Sequence, residues 1–384
     1  LFIEKLVNGF TFLYIFAAEN ENILLIKSLK MKKFRLLMLS TLMIVSGLTF
    51  AQEKVDRMPK ISGFVQTLYQ ADFNKDFKLD DNTFRMRRVR MSIDGKLTEN
   101  LSYKLQGDFV SSPILVDAYL KYKVCDAFAI QAGQFKVPFT IESLINPVNL
   151  EVFDYGEEIF QLCGYNDVSK VGKIGRDIGI MATGSLFKIE NKNGENFGIV
   201  NYQIGVFNGN GINNTDNNNR KNIAGRLDIH PWMKELTLTG SIYNGTYNYD
   251  TVRNGDRNRW SAGLQFKNKR ITVRAEYIGA ETGYVDYADL ANPVETTFSS
   301  KGYYAVAGYN FFLGKEKSQS LMPVIRYDYI DGKTFNNDKG TSYFTVGLNY
   351  WPIKYVNCKL DYSLIQHDGG DDEHRIAAIL NFKF

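Results

Sequence analysis

The sequence runs to 384 residues and carries 46 Lys and Arg against 42 Asp and Glu, a formal charge of +4. That near-balance gives no bulk electrostatic basis for nucleic-acid binding, and the three cysteines, Cys125, Cys163 and Cys358, are too few, odd in number and too widely spaced for a disulfide framework or a zinc site. With 23 Tyr, 27 Phe, 32 Gly and only eight Pro, the composition suits many strands joined by polar turns.

The first element in chain order is Met31-Lys32-Lys33-Phe34-Arg35, followed by the apolar run Leu36 to Phe50 and by Ala51-Gln52. A basic start, a short apolar core and small residues at Thr49 and Ala51 read as a cleavable signal peptide over 31–51. Residues 1–30 then form an upstream leader outside the mature protein; Glu19, Asn20, Glu21 and Asn22 interrupt their apolar stretches and argue against an anchor helix. Cleavage would remove six of the 46 basic and three of the 42 acidic residues, leaving 40 against 39 in residues 52–384. No stretch after Gln52 offers the roughly eighteen uninterrupted apolar residues of a membrane helix, so a membrane-spanning part must be built from strands.

Strands that cross a bilayer need about 9 to 11 residues with every second side chain apolar, because one face meets lipid and the other the lumen. Leu101, Tyr103, Leu105 and Phe109 alternate in this way with Ser102, Lys104, Gln106 and Asp108, and Ile271, Val273, Ala275 and Tyr277 with Thr272, Arg274 and Glu276. The pattern recurs over 60–72, 83–95, 101–111, 114–124, 127–136, 176–187, 197–208, 220–230, 235–247, 258–268, 270–280, 301–312, 321–331, 341–351, 356–366 and 374–384. These sixteen segments predict an all-β fold, a transmembrane antiparallel β-barrel spanning residues 52–384. An even count puts both ends of the barrel on the periplasmic side. The connections alternate between short turns and longer stretches rich in Asn, Asp and Gly. The last segment presents Ile376, Ala378, Leu380, Phe382 and Phe384 on one face, as a strand does when it closes against the first so that no edge is unpaired in lipid.

Several short stretches resemble the phosphate-selective porin O and P family. They are Phe84-Arg85-Met86-Arg87-Arg88-Val89-Arg90, Ala132-Gly133-Gln134-Phe135-Lys136-Val137-Pro138-Phe139, Gly175-Arg176-Asp177-Ile178-Gly179, Val206-Phe207-Asn208-Gly209-Asn210-Gly211, Gly302-Tyr303-Tyr304-Ala305 and Ile325-Arg326-Tyr327-Asp328. Their order in the chain carries the resemblance from about Lys60 to Phe384. It implies a sixteen-stranded, usually trimeric barrel in the bacterial outer membrane, with a long third extracellular loop folded into the lumen. The longest strand-free stretch, 137–175, follows the fifth segment and sits where that loop belongs. Its length calls for a functional or folded role. Glu142, Glu151, Asp154, Glu157, Glu158 and Asp167 make it acidic.

Alternation points Arg88 and Arg90 into the lumen, with Arg85 and Arg87 near the extracellular end; Arg226, Arg274 and Arg326 also face inward. Arginine suits an anion because its planar fork donates paired hydrogen bonds and keeps its charge, and rings of basic residues mark anion pores. The same arginines have inward-phased acids nearby, Asp94, Asp228, Glu276 and Asp328, so a ladder that braces the wall is the competing reading. Where the family is expected to place a lysine on the fifth strand, the inward residue here is Gln131, with Lys104, Lys121 and Lys136 as substitutes. Asp108 resembles the acid that the family sets opposite that lysine.

No other chemistry emerges from the sequence. His230, His367 and His374 allow no nucleophile-and-base set by spacing, Asp368, Asp371, Asp372 and Glu373 lack the ordered spacing of a calcium loop, and Gly209-Asn210-Gly211 reads as a turn because no helix follows. The expected function is passive diffusion of small polar or anionic solutes through a homotrimeric outer-membrane porin in contact with lipid, without cofactor or nucleic acid. The alternatives are an unselective porin or a loop-plugged structural or adhesive barrel, with a barrel enzyme last.

Overall fold

The computed structural model describes residues 57–384, apart from 113, 172–174, 191–193, 249–252, 287–293, 315–317 and 332–338. The expected leader and signal peptide lie outside the described residues. The strands are β1 (Lys60–Phe73), β2 (Leu79–Lys96), β3 (Leu101–Asp108), β4 (Leu115–Cys125), β5 (Phe128–Lys136), β6 (Arg176–Glu190), β7 (Asn196–Phe207) and β8 (Asn222–Ile229). They continue with β9 (Leu236–Asn248), β10 (Asn254–Lys267), β11 (Ile271–Asp286) and β12 (Val294–Tyr309), which resumes past Asn310 as Phe311–Leu313. The last are β13 (Gln319–Asp331), β14 (Gly340–Ile353), β15 (Val356–His367) and β16 (Glu373–Lys383). Each pairs antiparallel with its neighbours in sequence, and β1 pairs with β16 from Phe64 opposite Lys383 to Phe73 opposite His374, so the sheet closes.

Closure depends on a small residue. Gly63 and Phe384 exchange two backbone hydrogen bonds of 2.9 and 3.0 Å, and a Cβ on Gly63 would stand 2.4 Å from the Phe384 ring and 2.5 Å from the Arg90 carbonyl oxygen.

The two faces of the wall are inverted relative to a water-soluble protein. On β13 the inward Met322, Val324, Arg326, Asp328 and Ile330 are buried, whereas the outward Ile325 is 57% exposed. Leu120, Ile180, Ile204, Ile242, Leu360 and many similar outward side chains are equally bare. Left in water, each large apolar side chain forgoes about 1.5–3 kcal/mol of burial free energy, so this surface is built for lipid. Inward arginines and carboxylates are buried instead, because a segment of the chain fills the space beside them.

That segment joins β5 to β6. Thr140 adopts a positive φ of 61° as the chain enters the lumen, and Gly175 one of 62° as it leaves. Between them lie 3-10 turns at Glu142–Leu144 and Pro147–Asn149 and one short helix, α1 (Glu157–Leu162). Its apolar side chains Phe139, Leu150, Val152, Ile159 and Leu162 pack in one cluster with inward residues of the wall, among them Ile278, Tyr304, Val306, Val324 and Ile330.

Candidate functional site: the lumen loop and the charged wall

The loop is held by its own carboxylates. Asp154 receives Arg87 Nε at 2.8 Å and Arg88 Nη2 at 2.8 Å. Glu142 receives Arg274 at 3.0 Å and Arg326 at 2.6 Å, Glu151 receives Arg274 at 2.7 Å and Lys267 at 3.0 Å, and Glu158 receives Arg326 at 3.1 Å. Asp167 bridges Arg257 and Arg259 at 2.9 and 3.0 Å. Two amines hold the backbone: Lys136 Nζ donates to the carbonyls of Ser143 and Ile145, and Lys359 Nζ to those of Leu150 and Val152. Burial opposes ionisation of these loop acids. Even so, Arg88 and Arg87 hold the Asp154 carboxyl down at about 2, and Arg274 and Lys267 do the same for Glu151, also at about 2. Glu158 goes the other way, pushed well up by burial and then by the neighbouring carboxylate of Asp328, with Arg326 only partly offsetting them.

A bulge in β2 makes the Asp154 contact possible. Gln66 faces Arg88 but Thr67 faces Met86, so Arg87 is the extra residue, and its side chain turns inward beside that of Arg88. Such bulges re-aim side chains that strict alternation would send to the other face.

All ten residues singled out from the sequence lie on the inner wall, but they are engaged differently. Arg274, through Nη2, and Arg326 bond loop carboxylates; Arg326 also bonds Asp328 at 2.6 Å, and Nε and Nη1 of Arg274 have no hydrogen-bond partner among the described residues. Arg226 pairs with Asp228 at 2.9 Å and donates to the Thr140 carbonyl. Arg88 bonds Gln66 as well as Asp154, Arg90 Nε meets Asp108 at 2.9 Å, and Lys136 is a staple at the base of the loop. Gln131 is buried opposite Lys121 in the β4–β5 register. Lys104 pairs with Asp94 at 3.1 Å, and the amine of Lys121, a half-buried residue, has no hydrogen bond or ion pair among the described residues.

Two of the four inward acids expected to partner the arginines do otherwise. Asp94 serves Lys104, not Arg88 or Arg90, and Glu276 accepts from the Ile141 amide and Ser261 while Arg274 turns to the loop. Register explains the first, since Asp94 lies opposite Lys104; the loop's own carboxylates explain the second. Arg176, which meets Asp117 at 2.6 Å, and Arg257, Arg259 and Lys359 were not among the candidates. Inward alternation carried back from Ser261 passes through Arg259 and Arg257, which was the available signal.

Charge is distributed unevenly across the lumen. On the β2–β6 side five cations, Arg87, Arg88, Arg90, Lys136 and Arg176, stand with four carboxyl groups, Asp108, Asp117, Asp154 and Asp177, the last accepting the Ile178 and Gly209 amides. Across from them, on β10–β13, five cations, Arg257, Arg259, Lys267, Arg274 and Arg326, stand among six carboxyl groups, Glu142, Glu151, Glu158, Asp167, Glu276 and Asp328. Toward the long-loop end, a cavity of about 240 Å³ is bounded by Gln70, Arg85, Arg87, Asp154, Tyr343 and Arg375.

A closed sixteen-stranded barrel with an apolar exterior, a charged interior and a loop laid across the lumen defines an outer-membrane channel. Residues 60–382 match the family model described as phosphate-selective porin O and P, and the chain belongs to that family. It is thus an outer-membrane porin, a channel for diffusion of small solutes. Comparison with curated proteins yields no significant match. Among solved structures, an anion-selective porin from Comamonas acidovorans aligns with a TM-score of 0.61 at 10% identity, covering 86% of this chain and all of the other. The outer-membrane channel DcaP of Acinetobacter baumannii aligns at 0.56 and 12% identity over 86% of this chain and 99% of its own. Salmonella typhi OmpF, in complex with daunomycin, aligns at 0.55 and 14% identity over 85% and 98%. At these identities the structural likeness shows the fold.

Proposed function

We propose that this porin prefers anions and that they travel along the β2–β6 wall, beside the lumen loop. The observation that carries this reading is the excess of cations there: Asp154 is shared by two arginines, and Lys136 is held by neutral oxygens. A fixed cationic surplus in a low-dielectric enclosure raises the local anion concentration and repels cations. Arg85 and Arg87 would gather anions at the extracellular mouth, and Lys121 and Lys104 would lead them to the periplasmic end. Arg274 and Arg326 brace the loop in this account and do not bind solute. The loop forms the constriction, and because its apolar cluster packs on the wall, the passage is narrow and the conductance small. The family name supports phosphate among the anions accepted, and the trimer described for Vibrio cholerae OmpT, which aligns at a TM-score of 0.53, supports a homotrimer. Reversal potential in a KCl gradient tests the preference, and phosphate added as a blocker of chloride current tests the solute. Cation-selective current would refute both.

A further inference from the structure

The short hairpin turns, unlike the lumen loop, gather at the periplasmic end of the barrel, where the wall meets the phospholipid leaflet. An open groove of about 650 Å³ lies on that rim, bordered by Lys234, Lys267, Lys269, Arg270, Ile271 and Tyr309. Two of its cations are already paired, Lys234 with Glu195 and Lys267 with Glu151. The Lys269 amine has no hydrogen bond or ion pair among the described residues. Arg270 meets no carboxylate there: Nη1 bonds the Tyr309 hydroxyl at 3.4 Å, and the guanidinium lies 5.4 Å over the Phe312 ring. Glu235 is the other acid bordering the groove.

The turn that carries these cations is fixed before any ligand arrives. Asn268 Oδ1 accepts the amides of Arg270 and Ile271 at 2.8 and 2.7 Å. From β12, Asn310 donates its amide to the Arg270 carbonyl at 2.6 Å and its side chain to that of Lys269 at 3.4 Å. Immediately beside the turn, the outward faces of Ile271, Tyr309 and Phe311 are bare, at 36, 38 and 47% exposure. Cation, aromatic and aliphatic groups therefore follow one another from the rim into the apolar band. That is also the order of phosphate, glycerol ester and acyl chain in a lipid.

We propose that Lys269 and Arg270 bind the phosphate of an anionic glycerophospholipid in the periplasmic leaflet, whose acyl chains lie on Ile271, Tyr309 and Phe311. The guanidinium fork matches two phosphate oxygens, the lysine adds a point charge near an anionic surface, and the rings sit at the interface that aromatic side chains favour. No contact inside the lumen is involved, so the site is independent of ion preference.

Native mass spectrometry of the detergent-solubilised protein titrated with phosphatidylglycerol, with phosphatidylcholine as the zwitterionic control, tests the site. Wild type retains phosphatidylglycerol in preference to phosphatidylcholine, and the double substitution Lys269→Gln with Arg270→Gln weakens that retention about thirtyfold, the expectation for two basic residues at an anionic surface. Arg270→Gln alone, which leaves every backbone bond of the turn in place, gives an intermediate loss. Equal retention of the two lipids by wild type, or unchanged phosphatidylglycerol binding in the folded variants, overturns the proposal. Displacement of the lipid by millimolar inorganic phosphate would also overturn it, since the site would then be an anion site without lipid recognition.

Discussion

Arg326 on β13 and Glu142 in the lumen loop meet at 2.6 Å although 184 positions separate them. Both are fully buried, and Arg326 extends the contact to Glu158 and Asp328 while Glu142 extends it to Arg274. A buried ion pair contributes little net stability relative to apolar residues, but removing one partner strands a charge at a cost of about 3–5 kcal/mol. The loop is therefore fixed by contacts that fail together.

Arg326→Gln should loosen the loop. The expected outcome is a lower unfolding temperature together with larger and noisier single-channel conductance. Removing both partners, as Arg326→Gln with Glu142→Gln, should cost less than the sum of the single changes, and a double-mutant cycle on thermal unfolding measures the coupling.

Asp154→Asn leaves Arg87 and Arg88 without a carboxylate on the wall where cations are already in excess. Anion preference should rise several-fold, read from the reversal potential under a KCl gradient, with a modest loss of stability. Lys121→Glu should act in the opposite sense without destabilising the barrel, because that amine has no bond to lose.

Acid should release the loop only at low pH. The carboxyls of Asp154 and Glu151 are held at about 2 in the folded protein, against ordinary values of 3.8 and 4.5. A depressed carboxyl contributes stability that is complete above its unfolded value and lost as pH falls through its folded value. Conductance should thus be flat from pH 7 to about 5 and change as pH approaches 2. Glu158 carries the reverse sign: burial and Asp328 favour its protonated form in the fold, so the stability this confers declines as pH rises through its raised folded value. Glu158→Gln should suppress any increase in channel noise as pH is raised, read from single-channel recordings.

Gly63→Val should impair closure, since its first added carbon already collides with the Arg90 carbonyl, which cannot move without breaking the β1–β2 ladder. The measurement is the fraction of protein that keeps the fast electrophoretic mobility of a folded barrel in unheated samples, expected to fall sharply against wild type.

The sixteen strands were legible because lipid imposes apolar side chains at every second position, and the alternation stops where lipid stops. β2 begins at Leu79 and not at position 83, β10 at Asn254 and not 258, and β11 runs to Asp286 and not 280. Outward residues in those extensions, such as Asp256 and Glu281, are exposed and polar, so backbone pairing continues with no signature in the pattern. Inward arginines were legible for the same periodic reason, whereas the partners of Arg88 and Arg274 were not. A bulge at Arg87 shifts the phase by one residue, and Asp154, Glu142 and Glu151 reach the wall through the path of a loop that carries no periodicity. The sequence showed only that the loop is acidic, not that its carboxylates would take the arginines.

Reversal potential of the purified protein in planar bilayers under a KCl gradient tests the central claim most directly. A channel ruled by the cationic surplus of the β2–β6 wall gives small conductance with a potential of the sign set by chloride. A potential of the sign set by potassium, or a barrel that passes no current, would contradict it.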